Sequence, residues 1–265
     1  MDKMKRGFTL VEVALFLAVT GVLFVGIAMG VQNSIFQQRY TDAVQSFAEF
    51  LRSAYSETMN VENSVSTGGG RSEMAIYGKL LTFGESTDLS GNSIPDSEDA
   101  IFSYTVVGKI GDLGTGDVKT SLKELGVSVT DEKGGVAGIA ERYLPRWGSE
   151  IQTTKAYNGS GYEKYKGAVL VVRHPRTGTV FTYVMNGEIE INKTIQSDPK
   201  ANPLLSNLDN FQPEEVDFCV NPNGANYSSV RRDVRLIANA RNASGVEIIE
   251  QDGEDNKCEY EKVLL

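Results

Sequence analysis

The chain has 265 residues, 35 acidic against 26 basic side chains, a formal net charge of −9, and is 40% hydrophobic and 9% aromatic. A chain of this length holds one large domain or two small ones and buries a sizeable core without metals, while the acidic balance excludes a general nucleic-acid binder, which has a basic footprint. One histidine and two cysteines leave little material for a transition-metal site or a histidine-based triad.

Met1 to Gly7 reads MDKMKRG, a short stretch made basic by Lys3, Lys5 and Arg6. From Val13 to Val31 runs VALFLAVTGVLFVGIAMGV, 19 residues without a charge and with Thr20 as the one ordinary polar side chain. A bilayer core requires an apolar helix of about 17–25 residues. Flanking Lys and Arg hold that end in the cytoplasm by the positive-inside rule. The expectation is a single-pass cytoplasmic-membrane protein, N-terminus in, with the rest of the chain outside the cytoplasm. A cleaved secretory signal fits poorly, because its apolar region runs about 7–15 residues and closes on a small-residue cleavage site. A plain signal anchor fits the length and the charge.

Glu12 changes that balance. It sits between Val11 and Val13 at the mouth of the apolar run. A carboxylate at that depth costs about 2–3 kcal/mol on insertion scales and normally has a partner, so a plain anchor has no reason to keep it. If the chain is cut before Phe8, a new α-amine lies five residues or fewer from Glu12. The amine of a neighbouring subunit comes within reach when two such helices stagger side by side.

Lys5-Arg6-Gly7-Phe8-Thr9-Leu10-Val11-Glu12-Val13 resembles the N-terminal signature of type IV prepilins and pseudopilins, and with the anchor the likeness extends to about residue 31. The resemblance implies that a prepilin peptidase cuts between Gly7 and Phe8 on the cytoplasmic side and methylates the new N-terminal Phe8. It implies that Glu12 is the assembly acid. It also implies the partners: other pilin or pseudopilin subunits, the peptidase, an inner-membrane assembly platform and the lipid bilayer. One departure is the missing late-anchor proline of many members; the first proline here is Pro95. Gly21, Gly26 and Gly30 each weaken a helix by about 1 kcal/mol relative to alanine and could supply the same local weakness. Gly26 and Gly30 form a G-x-x-x-G pair that permits close helix approach, although glycine is in any case common in membrane helices.

Beyond the anchor, Phe36, Tyr40, Val44, Phe47, Leu51 and Tyr55 fall at steps of three and four, with Ala43, Ala48 and Ala54 beside them. Gln37, Gln38, Arg39, Asp42, Gln45, Glu49 and Arg52 lie between. This is one apolar stripe on a helix with a wet opposite face. Nothing separates it from the anchor, so one helix is expected from Phe8 to about Asn60, about 80 Å long at 1.5 Å per residue.

The remainder reads as strands and loops. STGGGR (66–71) ends the helical pattern, MAIYGKLLTF (74–83) and AIFSYTVVGKI (100–110) are strand-like, and residues 84–99 form a loop rich in turn signals. Hairpins are expected over 168–185 and 233–251, the second turning at Asn-Ala-Ser-Gly. No internal repeat is visible. A helical spine on an antiparallel sheet is an α+β arrangement, in agreement with the pilin-like fold that the resemblance implies. One large sheet and two smaller ones are not separable at this stage.

Cys219 and Cys258 lie 39 positions apart in the outward-facing part. An even count in an oxidising compartment favours a disulfide over two free thiols, contributing about 3–4 kcal/mol in the chain-entropy model. Many pilins have a C-terminal disulfide loop. His174, in R-H-P-R-T-G, sits at a hairpin turn without the context of a general base. The acidic runs 112–117 and 252–256 offer Asp112, Asp117, Asp252 and Asp255 at spacings calcium could use. Neither has the EF-hand pattern, and solvated loops are the preferred reading. Arg231, Arg232, Arg235 and Arg241 form a basic cluster that could neutralise a few phosphates of DNA; pairing with Asp233, Glu247 and nearby acids on one sheet face is the plainer expectation.

The chain thus divides into a leader (1–7), a transmembrane and assembly half-helix (8–31), an amphipathic half-helix (32–60) and an extracytoplasmic β-rich head (61–265). The expected function is structural rather than enzymatic: a minor pilin or pseudopilin of a type IV pilus or related filament. The alternatives are a membrane-anchored binding protein or adhesin, and a DNA-uptake pilin that uses the arginine cluster.

Overall fold

The computed structural model describes residues 9–60, 74–84, 100–111, 116–130, 141–157, 162–187, 189, 191, 202–221 and 231–251. Its first element is one unbroken helix, α1, over Leu10–Met59. It passes through Gly21, Gly26 and Gly30 without interruption. The expected helix from Phe8 to Asn60 is therefore met within the described residues, and Phe8 lies outside them. At its far end the Asn60 amide donates to Ser56 O at 2.9 Å. The environment of α1 changes sharply along its length. Leu10 to Val31 is exposed except for half-buried Thr20, whereas Ala43, Val44, Phe47, Ala48, Leu51, Ala54 and Tyr55 are buried.

The head is antiparallel throughout. In chain order come β1 (Met74–Phe83), β2 (Ile101–Lys109), the helix α2 (Val118–Glu124), β3 (Ser128–Thr130) and β4 (Glu141–Tyr143). They are followed by β5 (Glu150–Tyr157), β6 (Tyr162–Lys164), β7 (Gly167–Arg173) and β8 (Val180–Asn186). The helix α3 (Pro203–Asn207) then leads to β9 (Val216–Asn221), β10 (Arg231–Leu236) and β11 (Val246–Gln251). These strands form two sheets. The first has the order β3-β2-β1-β7-β8 with β4 also on β2, and the second the order β11-β10-β9-β5-β6. The strands over 74–83 and 101–109 and both hairpins, β7–β8 and β10–β11, stand where the sequence places them. The segments 66–71 and 85–99 lie outside the described residues.

The first sheet is covered on both faces. Leu81, Phe83, Val169, Val171, Val180 and Val184 face α1. Leu80, Phe102, Tyr104, Val106, Leu170 and Val172 face the opposite way, onto Val118 and Leu122 of α2 and Leu204 of α3. Strands buried on both sides read as near-continuous apolar runs rather than as alternation, which explains AVLVV in β7. The second sheet gives α1 only its inner face, through Phe218, Val220, Val234, Leu236 and Val246. α1 packs against both sheets.

Four aromatic rings join these parts. Phe47 of α1 meets Phe83 of β1 edge-on at 6.4 Å and Phe218 of β9 edge-on at 5.4 Å. Phe83 and Phe218 stack at 5.3 Å, bringing a strand of each sheet into contact. Tyr165, in the crossing between β6 and β7, presents its ring edge to both at 5.0 Å. Such pairs contribute about 0.5–1.5 kcal/mol each beyond their buried area. A polar chain adds direction: Thr182 Oγ1 donates to Ala240 O at 2.7 Å and therefore accepts from the Tyr55 hydroxyl at 2.8 Å. Lys79, nearly buried on β1, pairs with Glu57 of α1 at 2.7 Å.

Gly78 shows how tightly the first sheet is built. A Cβ there would lie 2.0 Å from Val171 O and 2.8 Å from Val172 Cα. The β1–β2 register shifts between Ile76 and Gly78, which leaves Tyr77 as an extra residue. Its ring then lies against Gly108, where a Cβ would come within 3.1 Å of it, and its hydroxyl donates to Lys109 O at 2.9 Å. Gly78→Ala should lower the stability of the head by about 1–3 kcal/mol or more, read as a lower midpoint in denaturant. Gly26→Ala, where nothing lies within 4 Å, should leave that midpoint unchanged.

Burial pushes the Tyr55 hydroxyl up to about 12. Above its ordinary value of 10.0, the unfolded chain releases a proton that the folded chain keeps, so stability falls as pH rises from about 10 to 12. That shift corresponds to about 2–3 kcal/mol. Unfolding midpoints at pH 8 and pH 12 should differ less in Tyr55→Phe than in the natural protein.

Candidate functional site

The exposed half of α1 is the most unusual surface of the molecule. Its most apolar 18-residue stretch has a mean hydropathy of 2.5, and none of it is buried. Leu10, Val11, Leu15, Phe16, Leu17, Val22, Leu23, Phe24 and Ile27 are each at least 60% exposed. The helix is long and apolar enough to cross a bilayer. Thr20, its one ordinary polar side chain, donates within the helix to Phe16 O at 2.8 Å and Leu17 O at 3.1 Å. A hydroxyl satisfied in this way is tolerated in an apolar medium. Gly26 and Gly30 have no neighbour within 4 Å, so the contact their small surface would permit is with another molecule.

Glu12 stands at the start of this helix, and its local setting corrects the sequence reading. Thr9 is the N-cap, and its Oγ1 accepts from the Glu12 amide at 3.3 Å. Glu12 Oε2 in turn accepts from the Thr9 amide at 2.9 Å and from Thr9 Oγ1 at 3.0 Å. This reciprocal capping box satisfies two of the amides that a helix N-terminus leaves without partners. A carboxylate in the first turn also meets the positive end of the helix dipole. A helix start therefore has a reason of its own to keep an acid at this position. The pattern Thr-x-x-Glu was present in Thr9-Leu10-Val11-Glu12 and could have been read from it. The cap engages Oε2, and a carboxylate has acceptor capacity beyond two hydrogen bonds. A further cationic donor is compatible with the cap.

Among the described residues, the others singled out from the sequence do not converge on a second site. Arg232 pairs with Glu250 at 2.6 Å and donates to Thr41 Oγ1 at 2.9 Å. Arg235 lies against Asp217 at 2.5 Å and Glu215 at 3.4 Å; that pairing raises its pKa above the ordinary guanidinium value. Arg241 sits over the Phe181 ring at 5.9 Å, and the Arg231 side chain is outside the described residues. Of the four arginines, Arg232 and Arg235 pair with nearby acids, as the plainer expectation held. The partners are Glu250, Asp217 and Glu215.

Asp117 caps α2, its Oδ1 accepting from the Thr120 amide at 2.7 Å, and these hydrogen bonds hold its carboxyl below the usual range. Asp112, Asp252 and Asp255 lie outside the described residues. Among the described residues no group of three or more His, Cys, Asp or Glu side chains could hold a metal ion. His174 Nδ1 accepts from the Arg176 and Thr177 amides at 3.1 and 3.3 Å and so organises its own turn. Cys219 is buried on β9 and disulfide-bonded. The sequence contains one other cysteine, Cys258, which lies outside the described residues, as do Gly7 and Phe8.

One feature escaped the sequence reading. At the end of the head nearest the bare half of α1, Trp147 adopts a left-handed backbone, φ +61°, and its side chain is 57% exposed. Its indole N–H donates to Asp42 Oδ2 at 2.7 Å, Arg146 pairs with Asp42 at 3.2 Å, and Arg39 lies over the indole at 4.8 Å. The indole hydrogen bond and the arginine hold the Asp42 carboxyl below its ordinary value.

Compared with known protein families, curated proteins and solved structures, the chain matches none. The reading of this site therefore rests on its own residues.

Removing the cap should be local. Thr9→Ala should weaken the helix start by about 1 kcal/mol, seen as faster amide hydrogen exchange at residues 10–13 in detergent micelles. Exchange in β1, β7 and β9 should be unchanged.

Proposed function

We propose that this protein is a structural subunit of a type IV pilin-like filament, a minor pilin or pseudopilin, assembled through α1. The observation that carries the reading is the division of one continuous helix into a bare apolar half and a half that forms the core of the head. The bare half suits two apolar surroundings in turn, first the bilayer and then a bundle of like helices. Because the helix is unbroken, the head moves with it between them. The stretch Lys5–Val13 supports the same reading, with Gly7 and Phe8 flanking a peptidase cut and Phe8 the methylated end.

In this account Glu12 has two roles at different stages. Within a subunit it caps α1 through Thr9. During assembly its carboxylate receives the N-terminal ammonium of a neighbour, a charge pair that is strong in an apolar setting and sets the stagger between helices. Burial of apolar side chains against neighbouring helices makes the contact extensive, and the charge pair makes it specific. The positive residues before the cut place the head outside the cytoplasm. In the oxidising space that follows, a Cys219–Cys258 bond would tie the C-terminal segment to β9.

The test separates the two roles of Glu12. Glu12→Ala should leave membrane insertion intact and reduce incorporation into sheared filaments about tenfold or more, a loss of the size expected for one unpaired charge. Thr9→Ala, which removes the cap and keeps the charge, should incorporate nearly as the natural protein does. Equal incorporation of Glu12→Ala and the natural chain would count against the assembly role.

A further inference from the structure

Trp147 is the only tryptophan in the chain, and its placement is not explained by packing of the head. A non-glycine residue in the left-handed region is strained, and such strain persists only where the surroundings impose it. Here the strain presents a large aromatic ring to the outside rather than burying it. The ring is held by two neighbours on one face of α1, Asp42 at 2.7 Å and Arg39 at 4.8 Å. Beside it Leu144 is 46% exposed.

Arg39 gives the turn its direction. Between Glu12 and Arg39, α1 has no charged residue, so the first charge beyond the apolar run is the guanidinium stacked on Trp147. The apolar run ends at Val31 and is followed by Gln32, Asn33 and Ser34 before Ile35, which is 42% exposed. From Val31 to Arg39 is about 12 Å of helix, beyond the roughly 5–7 Å depth of a headgroup layer by a distance that a long arginine side chain can span. Side chains on a helix lean toward its N-terminus, which aims Arg39 back toward the apolar run. Arg146 adds a second guanidinium beside the same ring. Tryptophan and arginine at this depth are the residues that anchor helices at a membrane surface.

We propose that the Trp147 turn, with Arg39 and Arg146, is an interfacial foot that seats the base of the head on the anionic headgroups of the bilayer that α1 enters. The proposal rests on the membrane-embedded reading of the apolar half-helix. It goes beyond the assembly role, because it fixes how the head stands before assembly. A seated head holds α1 at a defined depth and tilt, and leaving the membrane breaks the guanidinium–phosphate contacts.

The single tryptophan makes the test direct. The full chain is reconstituted into phosphatidylcholine vesicles with and without added phosphatidylglycerol, and insertion is scored separately as resistance to an alkaline carbonate wash. With the anionic lipid, Trp147 emission should shift to the blue and lose accessibility to acrylamide, and added salt should reverse both changes. A free arginine near an anionic surface should shift the docked-to-free ratio by roughly fivefold, and Arg146, paired with Asp42, by less. An Arg39→Gln/Arg146→Gln variant of unchanged circular dichroism should therefore lose the lipid dependence. A chain that resists the wash but whose Trp147 is equally accessible in both lipids would overturn the foot alone. Protection that follows the protein-to-lipid ratio rather than lipid charge would assign the turn to a second copy, and overturn it too. A chain released by the wash would overturn both the foot and the membrane reading.

Discussion

A helix that is apolar on every side cannot stand in water, and the rest of this molecule is arranged around that constraint. Leu10 to Val31 offers side chains such as Phe16, Leu23 and Phe24 in all directions, none of them covered by the head. At about 25 cal/mol per Å² of apolar surface, leaving such a segment in water is prohibitive. Among the described residues nothing covers the segment. Lipid and other helices are the two partners that suit a surface without a polar face.

The second half of α1 transmits whatever holds the first. Phe47 sits where both sheets meet, and the Phe83–Phe218 stack and Tyr165 close around it. The Tyr55–Thr182–Ala240 chain and the Lys79–Glu57 pair fix the rotation of the helix against the first sheet. At the other end Tyr40 fixes it against the second: its hydroxyl donates to Arg232 O at 2.9 Å and accepts from the Arg232 amide at 2.8 Å. Removing α1 would open two hydrophobic faces at once. One helix is at the same time long and apolar enough to cross a membrane and the centre of the head's core, so the position of one half dictates the position of the other.

Much of this was legible in the residues, for identifiable reasons. The stripe Tyr40, Val44, Phe47, Leu51, Tyr55 has a strict helical period, and local periodicity is the strongest signal a sequence contains. The hairpins were legible because Arg-Thr-Gly and Asn-Ala-Ser-Gly mark their turns. The partition into two sheets was not, because pairings such as β1 with β7 and β5 with β9 join segments far apart in the chain. The layer formed by α2 and α3 was missed because both helices are short, 7 and 5 residues; their capping residues, Asp117 and Asn202, read as loop. Glu12 was singled out as an unpartnered charge, but its bonds to Thr9 show that it has a local partner. Trp147 gave no sign at all. Its indole bonds to Asp42 of α1, more than a hundred positions away in the chain.

The account depends on α1 being released from a leader so that its new amine can meet the carboxylate of a neighbour. The most direct measurement is the intact mass of the native protein extracted from cell membranes. It should correspond to a chain that begins at Phe8 and has one added methyl group. A mass that retains Met1 to Gly7, with Phe8 unmodified, would contradict it.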